Sequence, residues 1–177
     1  MRAAIFLDRD GVLNPLIESD GGVRSPRVRT ELELAADAPE VVERLQRAGF
    51  LVFVVTNQPD VARGKLPLAE LVAMNAEVRE RLGVDDLRVC PHDDDDHCDC
   101  RKPLPGMLQV LARRWGVELS ESYMIGDTWR DVEAGRAAGC RTILIRRSYN
   151  ADVDADDAVD SLADAAELIL AREAVHA

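Results

Sequence analysis

Asp8 and Asp10 follow a five-residue apolar run, AAIFL at 3–7, and precede Gly11. In an extended chain residues i and i+2 point to the same side, so both carboxylates can face one pocket at the end of a buried strand. Two carboxylates this close repel unless a divalent cation or a shared proton relieves them. Mg²⁺ takes oxygen ligands from few carboxylates plus substrate phosphate and suits that need. On its own the pair also fits a solvated turn, because Asp and Gly are ordinary turn residues. The rest of the chain adds to the pocket reading. Thr56 and Asn57 follow the run LVFVV at 51–55, Lys102 precedes Pro103, and Asp127 follows YMI, with Asp131 four residues on. Carboxylates, a hydroxyl, an amide and an ammonium gathered at one sheet edge suit phosphoryl transfer.

A second constellation lies between these groups. Cys90, His92, Cys98 and Cys100 form a C-x-H-x5-C-x-C array. Three thiolates and one imidazole match a closed tetrahedral Zn²⁺ site of the structural kind, and soft sulfur ligands keep zinc apart from magnesium. His97, beside Cys98, is the rival ligand, and free surface thiols are the plainer alternative. Zinc here would stiffen the loop (90–100) that delivers Arg101 and Lys102 to the pocket. Cys140 stands apart and reads as a small buried apolar residue. The aspartates at 93–96 read as a solvated loop tip.

Elements must bring these groups together. Runs at 3–7, 51–55, 123–125 and 142–145, with a shorter one at 87–89, lack polar alternation and read as strands buried on both faces. Helical patterns begin near Asp37 and Pro39 and stop at Gly49. Others span 68–82, 105–115 and 130–138, each followed by Gly, and a last one starts at Ser161 and reaches about 172. The alternation predicts an α/β doubly wound parallel sheet, with ligands beyond the carboxyl ends of the strands. Residues 14–36 do not fit and read as a flap over that edge or a surface loop. The tail at 151–160, with five Asp, reads as a solvated connection.

The 177 residues predict a single domain, 1–177. Net charge −11, from 22 basic and 33 acidic residues, argues against nucleic acid and anionic membranes as partners. No apolar run approaches a membrane span, and the start is too short for a signal peptide, so a reducing cytoplasm without disulfides is expected.

The four motifs, DRDG at 8–11, TN at 56–57, Lys102 and GDTWRD at 126–131, occur in order over most of the chain and resemble those of the haloacid dehalogenase superfamily. The resemblance implies a Rossmann-like core without a large cap. It implies Asp8 as nucleophile forming an aspartyl phosphate, and Asp10 as general acid and base. Mg²⁺ would be held by Asp8, the Asp10 main-chain carbonyl and Asp127. Thr56 and the amide hydrogens near Asn57 would hold phosphoryl oxygens, Lys102 would supply the opposing charge, and Asp131 would orient Lys102 or a metal-bound water. An acid two residues after the nucleophile separates phosphatases from dehalogenases. The pattern CPH…CDCRKP recurs in one subgroup of these phosphatases, which favours His92 over His97.

Within that subgroup, TNQPDVARGK (56–65) and CRKPLPGML (100–108) are similar to heptose bisphosphate phosphatases, which points to a small sugar bisphosphate and adds Gln58, Arg63 and Arg101 as substrate-binding residues. The five-residue spacing between His92 and Cys98 is instead similar to histidinol-phosphatases. Arg24, Arg27 and Arg29 of the insert could reach a second phosphate or decorate a surface flap, while Trp129, Arg130 and Arg136 read as packing and surface residues. A monomer is expected. A polynucleotide 3′-phosphatase shares the catalytic motifs but fits the acidic charge poorly, and a zinc-stabilised binding module without activity would have lost a catalytic group.

Overall fold

The computed structural model describes residues 2–176. A six-stranded parallel sheet is built from β1 (Ala4–Leu7), β4 (Leu51–Asn57), β5 (Asp86–Cys90), β6 (Tyr123–Gly126), β7 (Arg141–Ile145) and β8 (Asp157–Val159), in the order β5-β4-β1-β6-β7-β8. A separate antiparallel hairpin, β2 (Ile17–Ser19) with β3 (Gly22–Arg24), rises from the 14–36 insert. Chain order reverses on either side of β1, which leaves a crevice at the carboxyl ends of β1, β4 and β6.

Alternation along each strand sorts the core into two layers. Ile5, Leu7, Val52 and Val54 face α1 (Ala38–Arg47), α2 (Leu68–Leu82) and α5 (Leu162–His176). Ala4, Phe6, Leu51, Phe53 and Val55 face α3 (Gly106–Trp115) and α4 (Trp129–Ala138). Phe6 and Phe53 meet at 5.4 Å between ring centroids, and both are fully buried. Each such side chain contributes about 1.5–3 kcal/mol of hydrophobic stabilisation. These two layers explain the continuous apolar runs: no strand face is left for water.

Local signals place most helix ends. Ser161 Oγ accepts from Asp164 N at 3.1 Å and caps α5, which runs on to His176. Asp37 stands at the N-cap of α1 but its side chain makes no capping bond. The acidic tail departs from its sequence reading. Asp157 begins β8, pairing with Ile143 of β7, and its carboxylate binds Arg141 and Arg172. Asp156 accepts from both Thr142 N and Thr142 Oγ1. Cationic partners on neighbouring elements turn a tail that reads as solvated into a sheet edge. No helix among the described residues is long and apolar enough to cross a membrane.

Candidate active site

Register brings the motif residues to one edge. Leu7 pairs with Ile125, so Asp8 emerges beside Gly126, and Asp8 N donates to Ile125 O at 2.9 Å. Asn57 pairs with Cys90, so the end of β4 lies against the start of the Cys/His loop. A cavity of about 420 Å³ opens there, lined by Asp8, Asp10, Thr56, Asn57, Lys102, Asp127 and Asp131 on its floor. Its rim carries Arg24 and Val23 from the hairpin, Arg63, Asp94, Arg101 and Arg130. A larger hollow of about 570 Å³ at the opposite edge, around Ser120 and Arg141, contains none of the motif groups.

Lys102 organises the floor. Its ammonium donates to Val55 O at 2.8 Å and to Asp131 Oδ1 at 2.6 Å, and pairs with Asp8 Oδ1 at 2.9 Å. Burial opposes its charge, but Asp131 and Asp8 outweigh that and hold its pKa above the ordinary lysine value. Asn57 fixes the Lys102 backbone, accepting from its N–H at 3.1 Å and donating to its carbonyl at 3.0 Å. The Asn57 side-chain amide is thus committed to Lys102, while the residue still lines the cavity.

The carboxylates divide by how many oxygens they have left. Asp131 has none, since Oδ1 takes Lys102 and Oδ2 takes Thr128 N at 3.0 Å and Thr128 Oγ1 at 2.6 Å. Asp10 has none either. Its Oδ1 accepts from Arg9 Nε at 2.9 Å and Asn14 at 3.0 Å, and its Oδ2 from Arg9 Nη2 at 3.0 Å and Gln58 at 2.7 Å. Burial raises its proton affinity, yet the Arg9 charge and these bonds outweigh burial, so its pKa is lowered. Asp8 uses Oδ1 alone, for Arg9 N and Lys102. Asp127 gives Oδ2 to Tyr149, while its buried Oδ1 has no hydrogen-bond partner among the described residues.

Carboxylate oxygens of Asp8, Asp127 and Asp131 lie within 4.8 Å of one another. Burial, then Asp131, raises the Asp8 pKa well above the carboxylate range, and burial pushes Asp127 up to about 6. An orphaned buried oxygen beside a second open carboxylate is a fitting seat for a hard divalent cation, which would relieve both penalties. The Asp10 carboxylate is outside this group and its oxygens are taken by Arg9, Asn14 and Gln58, so of that residue the main-chain carbonyl is the atom left to join. Gly11 is required here. At φ +89° its backbone packs so closely on Asp127 that a Cβ would lie 2.0 Å from Oδ2.

The Cys/His array closes into one group whose ligand atoms all lie within 4.8 Å of one another. Sγ of Cys90 lies 3.6 Å from both His92 Nδ1 and Cys98 Sγ, Cys98 to Cys100 is 3.5 Å, and His92 to Cys100 is 3.3 Å. Tetrahedral zinc with Zn–S near about 2.3 Å spaces sulfurs about 3.8 Å apart, so these four fit that ion. His97 is exposed, ends a short turn at φ +47°, and stands outside the group. Gly106 of the PGM segment packs against this loop so tightly that a Cβ would meet Asp99 O at 2.0 Å.

Several residues play parts the sequence reading did not assign. Gln58 does not line the cavity; it donates to Asp10 and, at 2.9 Å, to Thr56 Oγ1. The tip at 93–96 is solvated, as its composition predicts, but Asp93 also forms two bonds to Arg63 at 2.6 and 2.7 Å and Asp94 accepts from Arg101 at 2.7 Å. Arg24 lines the rim but is held by Glu31, whereas Arg27 turns to Asp60 and Arg29 to Glu77. Arg130, read as a surface residue, lines the cavity and stacks on Trp129 at 4.8 Å, with no carboxylate ion pair among the described residues. Buried Arg9 sits in plain view inside DRDG, between Asp8 and Asp10. Arg147, Tyr149 and Asn150 follow a strand's carboxyl end, a position that could have marked them.

A doubly wound sheet with two acids after its first strand, a lysine from a third loop and a paired acid after the fourth core strand defines a phosphoryl-transfer site. The chain belongs to the haloacid dehalogenase-like hydrolases, whose family model matches residues 23–139. It has no large cap domain, the small β2–β3 hairpin standing at the cavity mouth. The chain is 41% identical over 150 residues, 82% of each chain, to the D-glycero-beta-D-manno-heptose-1,7-bisphosphate 7-phosphatase of Pseudomonas aeruginosa. It is 33% identical to the enzyme of that name from Yersinia pestis, covering 96% of both. The crystal structure of D,D-heptose 1,7-bisphosphate phosphatase from B. bronchiseptica, complexed with magnesium and phosphate, superposes with a TM-score of 0.84 at 33% identity, over 96% of this chain and 99% of that one.

Proposed function

We propose that this protein is a magnesium-dependent phosphatase, one domain over 1–177, that removes the 7-phosphate of D-glycero-β-D-manno-heptose 1,7-bisphosphate. The observation that carries the chemistry is the pairing of open oxygens on Asp8 and Asp127 beside Lys102 in one cavity. The substrate is supported by the relatives' names and by a rim bearing Arg24, Arg63, Arg101 and Arg130, suited to a second phosphate. The cavity lining is not simply basic, since five cationic and five acidic side chains face it. Magnesium held by Asp8, Asp127 and the Asp10 carbonyl would neutralise charge between the nucleophile and the phosphoryl oxygens.

Asp8 attacks phosphorus, the P–O bond to C7 breaks, and an aspartyl phosphate forms. Lys102, kept charged by Asp131, and Thr56 hold the phosphoryl oxygens. Asp10 gives a proton to the departing alkoxide, an anionic phosphate alongside it raising its proton affinity. It then takes a proton from the water that hydrolyses the intermediate, and Arg9, Asn14 and Gln58 favour the carboxylate that this second step needs. Zinc on Cys90, His92, Cys98 and Cys100 is a scaffold, not a reagent. The reading extends to a monomer in a reducing cytoplasm, where the thiolates stay available to metal.

The test is phosphate release from both anomers of the heptose bisphosphate and from histidinol phosphate, compared by kcat/KM. A preference of about a hundredfold for the heptose, about 2.7 kcal/mol of transition-state discrimination, is expected. The reverse preference would mean that the short zinc loop is the better guide to substrate. Turnover undiminished in Asp8→Asn would overturn the nucleophile assignment.

A further inference from the structure

The loop after β7 reaches back over the catalytic edge and takes hold of both sides of the carboxylate group. Arg147 Nη2 donates to the Gly11 carbonyl at 2.7 Å. Asn150 Nδ2 donates to the Asp127 carbonyl at 2.8 Å and to Ile145 O at 2.9 Å, while its Oδ1 accepts from Arg147 N at 2.8 Å. These bonds anchor the loop through a buried amide and a guanidinium. Tyr149 takes no part in that anchoring. The residue is 47% exposed, and its hydroxyl donates to Asp127 Oδ2.

That hydroxyl makes the sole hydrogen bond to the Asp127 carboxylate among the described residues, and the other oxygen, Oδ1, is buried and unpartnered. The Gly11 backbone also packs against this carboxylate, closest to the same Oδ2, and leaves Oδ1 as the oxygen without a partner. A carboxylate with one oxygen occupied and one presented binds a cation through one oxygen, as octahedral Mg²⁺ demands. Ca²⁺, larger and less strict, accepts both oxygens of one carboxylate.

We propose that Tyr149 is a positioning residue of the metal site, whose hydroxyl occupies Asp127 Oδ2 so that Oδ1 alone is offered to the cation, and that it thereby favours Mg²⁺ over Ca²⁺. This rests on the reading of Asp127 as a magnesium ligand. Groups that orient metal ligands are typically worth about 10- to 100-fold in metal affinity. Tyr149→Phe removes the hydroxyl and keeps the ring, and the Arg147 and Asn150 anchors stay in place.

The experiment is calorimetric titration of the zinc-loaded protein with Mg²⁺ and with Ca²⁺, for the wild type, Tyr149→Phe and Asp127→Asn, alongside melting temperatures of the zinc-loaded protein in buffer without added Mg²⁺ or Ca²⁺. Tyr149→Phe is expected to raise the Mg²⁺ Kd by about tenfold or more, to change the Ca²⁺ Kd less, and to leave that melting temperature unchanged. Mg²⁺ affinity within about twofold of wild type would overturn the assignment of Tyr149 alone. Equal weakening of both metals with a lower melting temperature would also overturn it, as the mark of a merely structural residue. A wild type whose Mg²⁺ titration matches that of Asp127→Asn would overturn the metal reading itself, and the proposal with it.

Discussion

On the cavity floor Lys102 is 2% exposed and touches three oxygens from three elements, whereas at the rim Arg63 and Arg101 meet Asp93 and Asp94 of one neighbouring loop. Both regions are built from ion pairs, but burial separates them. On the floor, desolvation moves proton affinities and several acids share one cation, so removing Lys102 strands them. At the rim, water screens the pairs, each worth about 0–1 kcal/mol, and a partner can be exchanged for a ligand at little cost. The floor is therefore suited to chemistry and the rim to selection. The Cys/His loop joins them, since it carries Asp93 and Asp94 and leads directly into Arg101 and Lys102.

The sharpest separation comes from Asp8→Asn. Turnover should fall by at least about 10⁴-fold if Asp8 is the nucleophile as proposed. Without added Mg²⁺ the variant should melt no lower than wild type, since burial and Asp131 already oppose the Asp8 charge. A drop in both would mean Asp8 holds the floor together and the contrast with the rim is drawn in the wrong place.

Next is Lys102→Met, which leaves Asp8 and Asp131 buried without their cation. Urea denaturation should show a loss of about 3–5 kcal/mol at neutral pH. Arg63→Ala, measured the same way, should cost no more than about 1 kcal/mol. Equal losses would erase the distinction between floor and rim.

Removal of zinc tests the connection between the two regions. Stripping the metal with a chelator, or Cys98→Ser, should lower kcat/KM by about 10- to 100-fold through loosening of Arg101 and Lys102, with Mg²⁺ binding by calorimetry retained. Loss of Mg²⁺ binding as well would place the zinc loop within the floor.

The smallest effect is at the hairpin. The Arg24 guanidinium, with the Arg27 N–H, lowers the Glu31 pKa from 4.5 to about 2. A carboxyl with a depressed folded pKa adds stability that is present above its unfolded value and lost as pH falls toward the folded one. The hairpin pairing should therefore hold above pH 4.5 and fade toward pH 2, and carboxyl NMR should place the Glu31 midpoint near 2. In Arg24→Ala the midpoint should return toward 4.5. An unshifted midpoint in the wild type would mean that this rim pair is open in solution.

These contrasts also mark how far the sequence could be read. Apolar runs located β1, β4, β6 and β7, and Gly residues located the ends of α2, α3 and α4, because such signals act within a few residues. The DRDG, TN, Lys102 and GDTWRD groups were legible as strand-end polar residues, and the Cys/His spacing was legible because all four ligands fall between 90 and 100. The hairpin in 14–36 was hidden by a three-residue strand length, and β8 by its acidic composition.

The sequence by itself determined which side chains with chemistry stand at strand ends, since alternation, strand length and local spacing are written in neighbouring residues. Tertiary structure alone decided which of those groups keep an open oxygen. Gln58 reaches Asp10 across 48 positions, Lys102 reaches Val55 across 47 and Arg147 reaches Gly11 across 136. Such partners are set by the order of strands in the sheet, and a buried carboxylate's role depends on which donors that order brings to it.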